Sequence, residues 1–244
     1  MPRELFEQNF RPLISVIIPI YNGEKFVEQL FEQLHRQQYQ PIEIIVVDDG
    51  STDGTMKMLS KVTDINYIYQ KNTGPAAARN HGIQFAQGEF IAFLDCDDLW
   101  SENHLTSLIQ HFQNNSELSI IKGQIQNQVI FNHSNENREL PYFNCLLGSC
   151  IIRKSTFEII GLFDEQLLFC EDMDWFTRAW ENNIPLKKID KISLYYRRHE
   201  HNMTNDIKKR THYRMLYYKK KLQREKSIHN TKTISLSPLK DYLN

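Results

Sequence analysis

Three carboxylates fall within four residues, at Asp95, Asp97 and Asp98, directly after an apolar run. Like charges this close repel one another unless a cation or hydrogen-bond donors compensate for them. Oxygen-rich, thiol-poor clusters suit Mg²⁺ or Mn²⁺, which take one or two protein carboxylates and complete their shell with substrate phosphates. The alternative is a solvated acidic turn, because this aspartate spacing arises by chance about once in such a chain and recurs at Asp172 and Asp174.

Two further pairs of acidic residues are candidates for ligand binding or catalysis. Asp48 and Asp49 end an apolar segment, where they either cap a turn or accept hydrogen bonds from a base or ribose. Glu171 and Asp172 precede an amphipathic segment. They either stabilise the start of a helix or supply a general base that takes a proton from a hydroxyl.

Basic side chains near these acids have similar alternatives. Arg79 lies at a helix start rich in small residues, and it either faces solvent or contacts a phosphate. His199 follows Arg197 and Arg198 in a charged segment, which is either a surface loop or a place where the imidazole meets a metal or a diphosphate. The chain has no Walker, G-x-G-x-x-G or G-x-S-x-G motif, which argues against P-loop ATPases, NAD-type enzymes and α/β hydrolases.

The elements that position these residues alternate between strand and helix in the first half. Strands are predicted at 13–18, ended by Pro19, and at 42–47, 66–70 and 89–94, with a helix after each one. This order predicts an α/β fold with a mostly parallel central sheet flanked by helices. Such sheets bind ligands at the carboxyl ends of their strands, where most of the acids above are found.

The second half is less regular. It predicts two strands within 118–131, a loop at 132–139, helices at 155–160 and 172–181, strands at 186–189 and 192–196, a basic helix from 206 and a polar terminus beyond 228. Residues 208–226 hold nine Lys or Arg against one acid, Glu225. This segment is either a helix on an anionic membrane surface or a solvated helix packed by its tyrosines, Tyr213, Tyr217 and Tyr218.

Composition excludes further classes of protein. The 244 residues carry a net charge of −1, which argues against nucleic acid as a partner. The four cysteines form no C-x-x-C pair, which argues against zinc and predicts reduced thiols in a cytoplasmic protein. No apolar stretch approaches the roughly 20 residues that a membrane span needs, and the first residues do not resemble a signal peptide.

Six segments occur in an order that resembles family 2 glycosyltransferases of the GT-A fold. They are VIIPIYN at 16–22, IIVVDDGSTD at 44–53, GPAAARN at 74–80, FLDCDD at 93–98, ED at 171–172 and YRRH at 196–199 followed by Asn202. Each motif alone is weak, but all six in register make a specific pattern over roughly 12–205. The expected division is a GT-A domain at 1–205 and a basic helical extension at 206–244.

The resemblance implies an inverting transferase that moves a sugar from a nucleoside-diphosphate sugar, with UDP the expected nucleotide, to an acceptor hydroxyl. Asp172 matches the catalytic base. The nucleotide-binding positions are Pro19, Tyr21, Asn22, Asp48, Asp49, Arg79 and Asp95, and the Mn²⁺ or Mg²⁺ positions are Asp97, Asp95 and His199. Trp100 and Glu171 are expected on the acceptor side, with segment 143–150.

The acceptor implied is a glycan, a lipid-linked glycan or another hydroxyl compound in the synthesis of cell-surface polysaccharide or glycoconjugate. The expected location is the cytoplasm, with peripheral attachment to the inner face of the membrane as an extension. One alternative is a non-catalytic protein that binds nucleotide sugars on the same fold. Another is a nucleotidyltransferase, which would need a glycine-rich basic loop after the first strand, where the chain has only Gly23 and Lys25.

Overall fold

The computed structural model describes residues 11–113, 115–129, 139–200, 202–229 and 238–243. Its strands are β1 (Ile14–Ile20), β2 (Ile42–Asp48), β3 (Asn66–Tyr69), β4 (Phe90–Phe93), β5 (Leu99–Trp100), β6 (Ile120–Val129), β7 (Cys150–Arg153) and β8 (Leu186–Arg198). Its helices are α1 (Val27–His35), α2 (Thr55–Leu59), α3 (Pro75–Phe85), α4 (His104–Gln113), α5 (Ser155–Ile160), α6 (Glu171–Glu181), α7 (Ile207–His229) and α8 (Leu239–Leu243).

The strands form one sheet of eight in the order β3-β2-β1-β4-β7-β6-β8-β5. The first four strands of that order pair in parallel, as do β6 and β8. Antiparallel pairs join β4 to β7, β7 to β6 and β8 to β5. The predicted α/β architecture with a mostly parallel centre and flanking helices is confirmed.

Apolar side chains cover both faces of the sheet, because successive residues of a strand point to opposite faces. In β1, Val16 belongs to the core under α1 and α4, whereas Ile17 belongs to the core under α3, α5 and α6. Helix α3 lies especially close to β1, since a Cβ at Gly82 would lie 2.4 Å from Cγ2 of Ile17. The continuous apolar run of β1 is thus explained by burial on both sides.

Several predicted boundaries are wrong. The first strand continues past Pro19 to Ile20, since β4 pairs with β1 only as far as Ile17 and the missing N–H breaks no ladder there. Segment 118–131 holds one described strand, β6, rather than two, and 186–198 is likewise a single strand. Their pairing shifts register beside Gly123, which interrupts the alternation in both strands without ending either.

The carboxyl-terminal part contains more structure than expected. The predicted basic helix is present as α7, but the terminus beyond 228 contains α8, whose Tyr242 hydroxyl donates a hydrogen bond to the Ile184 carbonyl at 3.0 Å. The loop expected at 132–139 lies outside the described residues apart from Glu139. The division at 205/206 stays a prediction, although α7 and α8 both contact α6.

None of the helices in the described ranges combines the length and apolarity that crossing a bilayer requires.

Candidate active site

The carboxyl edge of the parallel strands brings acids from distant parts of the sequence together. Arg79, on α3, donates from Nη2 to Asp95 Oδ1 at 2.8 Å and from Nη1 to Glu171 Oε1 at 2.7 Å. Asp95 follows β4, and Glu171 begins α6. The Arg79 side chain is only 7% exposed. One buried guanidinium therefore joins the two acid motifs, and we call Asp95, Asp97, Glu171 and Asp172 the acidic cluster.

Charge repulsion and burial shape the ionisation of this cluster. Burial raises the pKa of Glu171 to about 7 against the opposing effect of Arg79, and Asp172 adds to the rise. Burial also raises the pKa of Asp172, with Asp95 contributing and Arg79 opposing. Burial disfavours the charged form of Arg79, but the negative charges of Asp95 and Glu171 outweigh this effect and raise the pKa of the guanidinium. The cluster holds more negative charge than its arginine balances, and an added cation would relieve it.

Asp97 contacts residues that directly follow β8. Its Oδ2 is 3.0 Å from Nε2 of His199 and accepts a weak hydrogen bond from Nδ2 of Asn202 at 3.4 Å. Burial raises the pKa of Asp97, and the charge of Asp95 raises it further. The charge of Asp95 contributes to the raised pKa of both Asp97 and Asp172, so one carboxylate interacts electrostatically with the predicted metal ligand and with the predicted base.

The donor set near Asp97 fits a hard divalent cation that relies partly on substrate oxygens. Carboxylate, imidazole and amide groups are ligands that Mn²⁺ accepts, and Mg²⁺ accepts the oxygens. Within the described ranges no three His, Cys, Asp or Glu side chains form a ready cage. A metal here would need ligands beyond the protein's own, as a diphosphate would provide.

Asp98 differs from Asp95 and Asp97 because its contacts hold the backbone of another strand. It is 3% exposed, and its Oδ1 accepts a hydrogen bond from the backbone N–H of Arg197 at 2.9 Å. The Arg197 guanidinium bonds the carbonyl of Asp97 and the side chain of Gln29. These contacts attach β8 to the loop after β4 and so position His199. Sequence reasoning named Asp98 and Arg197 only as members of their motifs and assigned neither of them a role. Gln29 was missed, and no local signal marks it.

The expected nucleotide side is built from loops after β1 and β2. Asp49 accepts hydrogen bonds at Oδ1 from the Thr73 N–H at 2.9 Å and at Oδ2 from the Gly74 N–H at 2.8 Å. Gly74 has a φ of +97°, a value that side-chain-bearing residues rarely adopt. Asp48 is 1% exposed and accepts from the Tyr67 hydroxyl at 2.9 Å. Both carboxylates, which we call the strand-end pair, are therefore fixed in place.

The loop after β1 is held against the strand-end pair. Asn22 accepts a hydrogen bond from the Thr52 N–H at 2.8 Å, and its own N–H donates to Ser51 Oγ at 2.9 Å. Tyr21, beside it, is 51% exposed and free to meet a ligand. Pro19 pairs with Val47 inside the sheet, so it anchors the start of this loop to the sheet.

Trp100 is not brought into the acidic cluster. It is 5% exposed, stacks on His104 at 4.2 Å between ring centroids, and donates from Nε1 to the Gly148 carbonyl at 2.7 Å. It lines a cavity of about 200 Å³ with α1 and β8, to which no residue of the acidic cluster contributes. The contact with Gly148 does link Trp100 to segment 143–150, the other expected border of the acceptor side.

Comparisons with known proteins identify the family and the fold of this chain. The profile of Glycosyl transferase family 2 matches residues 15–168. A putative teichuronic acid biosynthesis glycosyltransferase of Bacillus subtilis, TuaG, is 37% identical over 113 residues, which are 44% of this chain and 45% of the relative.

Two solved structures share the fold. TarS residues 1–349 of Staphylococcus aureus in complex with UDP-GlcNAc is 25% identical, with a TM-score of 0.63 over 79% of this chain and 60% of that one. The mannosyltransferase PcManGT of Pyrobaculum calidifontis, in complex with GDP-Man and Mn²⁺, is 16% identical, with a TM-score of 0.68 over 95% of this chain and 67% of that one. At that identity, the second likeness speaks for the fold alone.

The chain spans about three-fifths of the length of curated relatives such as an uncharacterized glycosyltransferase of Rickettsia typhi, which is 32% identical over 70% of this chain and matched over 59% of its own length. The family profile nevertheless covers more than half of the chain, including the strand-end pair, Arg79, Asp95 and Asp97. The chain belongs to glycosyl transferase family 2.

Proposed function

We propose that this chain is an inverting glycosyltransferase that moves a sugar from a nucleoside-diphosphate sugar, with a UDP-sugar the favoured donor, to an acceptor hydroxyl. The observation that carries the proposal is the buried Arg79, which bonds Asp95 and Glu171 at 2.8 and 2.7 Å. Through it, motifs 76 residues apart in the sequence face one site. A scaffold without activity would not need so much unbalanced negative charge in one place.

Asp172 is the proposed base. It takes the proton of the acceptor hydroxyl as the oxygen attacks the anomeric carbon, so that one displacement inverts that centre. Part of Asp172 is accessible, while its neighbours bury enough of it to raise its pKa. A carboxylate with a raised pKa is a stronger base than one in water, but it works only above that pKa. We therefore expect activity to fall as the pH is lowered through it.

Asp97 and His199 are the proposed ligands of a divalent cation, with Asp95 beside them. When bound, Mn²⁺ or Mg²⁺ would supply positive charge against the diphosphate as the glycosidic bond breaks. The pairing of Asp97 with His199 at 3.0 Å keeps the two groups within reach of one ion. Metal dependence is supported by this donor set. The pKa of Asp97 is raised by burial and by the charge of Asp95, and a bound cation would oppose both effects.

The strand-end pair and the loop with Pro19, Tyr21 and Asn22 are the proposed nucleotide side. A carboxylate held by backbone N–H groups, as Asp49 is, stays oriented without the help of the ligand. The UDP-GlcNAc complex of TarS supports a uridine nucleotide. The sugar itself is left open, because its recognition depends on a few loop contacts.

The proposed acceptor is a hydroxyl of a glycan or lipid-linked glycan in cell-surface polysaccharide synthesis, for which the similarity to TuaG is the support. We keep Trp100 and segment 143–150 as the border of that side. Glu171 is reassigned, since its carboxylate is 9% exposed and bonded to Arg79. It positions Arg79 instead of meeting the acceptor. A cytoplasmic location follows from the expected supply of nucleotide sugars there.

Conversion of Asp172 to Asn tests the proposal. We expect release of UDP from UDP-sugars in the presence of Mn²⁺ to drop about 10²–10⁴-fold, with UDP affinity by calorimetry unchanged. The exposed Asp190→Asn variant is the matched control, and it should keep full activity. Wild-type protein that binds nucleotide sugars yet releases no UDP would favour the non-catalytic alternative, and an active Asp172→Asn variant would refute the assigned base.

A further inference from the structure

Helix α7 presents two faces of opposite character. Its inner face is bonded to the body of the protein: the hydroxyls of Tyr217 and Thr177 lie 2.9 Å apart, and Arg224 donates to Asp174 at 2.9 Å and to Glu181 at 2.8 Å. Lys220 pairs with an acid of the body as well. Positions 217, 220 and 224 recur every three to four residues, so they define one side of the helix.

The outer face carries apolar side chains in solvent. Met215, Tyr218 and Leu222 are 69%, 51% and 55% exposed and lie on the side opposite Tyr217 and Arg224. They line a groove of about 510 Å³ together with Lys219, Gln223 and Lys226. Because three inner-face residues fix the rotation of α7, the helix cannot turn to bury this stripe.

The charge beside the stripe is uncompensated. Lys219 and Lys226 flank it, and in the described part of the chain no carboxylate lies within ion-pair distance of either. The one acid nearby, Glu225, pairs with Lys221 at 3.2 Å. The outer face of α7 therefore combines exposed apolar groups with a net positive charge. A partner that matches this surface must carry negative charge and accommodate apolar side chains.

We propose that the outer face of α7 docks on an anionic lipid bilayer, with Met215, Tyr218 and Leu222 at the level of the headgroups and Lys219 and Lys226 against the lipid phosphates. A second copy of the chain fits less well, because it would bring the same lysines face to face. A stable protein interface also needs about 800 Å² per partner, whereas this stripe covers only two turns of one helix. The proposal does not depend on the glycosyltransferase activity.

Co-sedimentation with vesicles tests it, using equal parts phosphatidylglycerol and phosphatidylcholine against phosphatidylcholine alone. We expect binding to the anionic vesicles that weakens with salt, and at least tenfold weaker binding to the neutral ones. Since each basic residue near such a surface contributes about fivefold, Lys219→Gln with Lys226→Gln should weaken binding roughly 25-fold. Lys57→Gln with Lys61→Gln, both exposed on the body, is the charge-matched control and should bind as the wild type does.

A second pair of variants tests the apolar contribution. The triple change Met215→Ser, Tyr218→Ser and Leu222→Ser should weaken binding to anionic vesicles about tenfold or more. Ile159→Ser, which alters an apolar side chain 62% exposed on α5, should have no effect.

Three outcomes would overturn the proposal. They are equal binding to both vesicles, variants that bind like their controls, and a dimer in analytical ultracentrifugation that the triple change dissolves while vesicle binding is absent. The last would assign the surface to a second copy of this chain.

Discussion

The strand-end pair and the acidic cluster are both groups of carboxylates at the same edge of the sheet, but they are stabilised differently. Asp49 is held by the backbone N–H groups of Thr73 and Gly74, which are neutral donors and add no charged group to the site. The acidic cluster depends on one arginine from α3, and burial raises the pKa of Glu171, Asp172 and Asp97. The first arrangement has donors from the protein itself, whereas in the second the carboxylates repel one another, and the cation that we propose would relieve that repulsion.

Metal dependence should show the largest difference between the two groups. We expect excess EDTA to lower UDP release from UDP-sugars about a hundredfold or more, with Mn²⁺ restoring it. Asp97→Asn should abolish the gain in UDP affinity that Mn²⁺ confers, since it removes a proposed ligand. Asp49→Asn should lower UDP affinity equally with and without Mn²⁺. Activity that survives EDTA would remove the cation from the mechanism.

Loss of the shared arginine should be the next largest effect. Arg79→Met leaves Asp95 and Glu171 without their partner in a buried site, and we expect the free energy of unfolding in urea to fall by about 3–5 kcal/mol. Arg36→Met removes an exposed ion pair with Glu32, of which the arginine side chain is 66% exposed, and should cost no more than about 1 kcal/mol. Equal losses for the two variants would mean that Arg79 does not hold the cluster together.

The pH dependence of stability should separate the groups as well. Glu171 has a pKa of about 7 in the folded protein, above its ordinary 4.5, so its ionised form is disfavoured by folding. Its destabilising contribution is absent below about pH 4.5 and grows as the pH rises through 7. We expect Glu171→Gln to reduce the loss of unfolding free energy between low and neutral pH by on the order of 1–3 kcal/mol. Urea titrations at several pH values measure this difference. The exposed Glu32→Gln should leave the profile unchanged.

The smallest expected effect concerns the strand-end pair. Tyr67→Phe removes one hydrogen bond to Asp48 and should lower the free energy of unfolding by about 0.5–1.5 kcal/mol. Tyr69→Phe, on the same strand and 60% exposed, is the control and should change nothing measurable. A larger loss from Tyr67→Phe than from Arg79→Met would reverse the comparison between the two groups.

Local sequence patterns were sufficient for the parallel half of the fold. The apolar runs at β1, β2 and β4 and the acids after them have short-range signals, and the strand-end position of Asp49 and Asp95 followed directly. Strands β5 and β7 were missed, and β5 has only two residues, which are too few to show any periodicity. Their place is set by pairing with β8 and with β4 and β6, which is a long-range property.

The same limit applies to the site. The residue types of the acidic cluster were readable, but the partner of each was not. Nothing local to Glu171 indicates that its carboxylate meets Arg79, which lies 92 residues earlier. Trp100 was expected beside the acceptor, and this stays a prediction. Its stacking on His104 could not be read from the sequence, because it depends on how the two residues pack.

Gly82 has a consequence for the buried arginine. It lies three residues after Arg79 on α3, where a Cβ would lie 2.4 Å from Cγ2 of Ile17 in β1. A methyl group there would overlap Ile17 and push the helix away from the strand. The guanidinium would then be withdrawn from both carboxylates at once, although position 82 is not itself part of the site. The absence of a side chain at Gly82 thus determines how closely the Arg79 guanidinium can approach its two carboxylates.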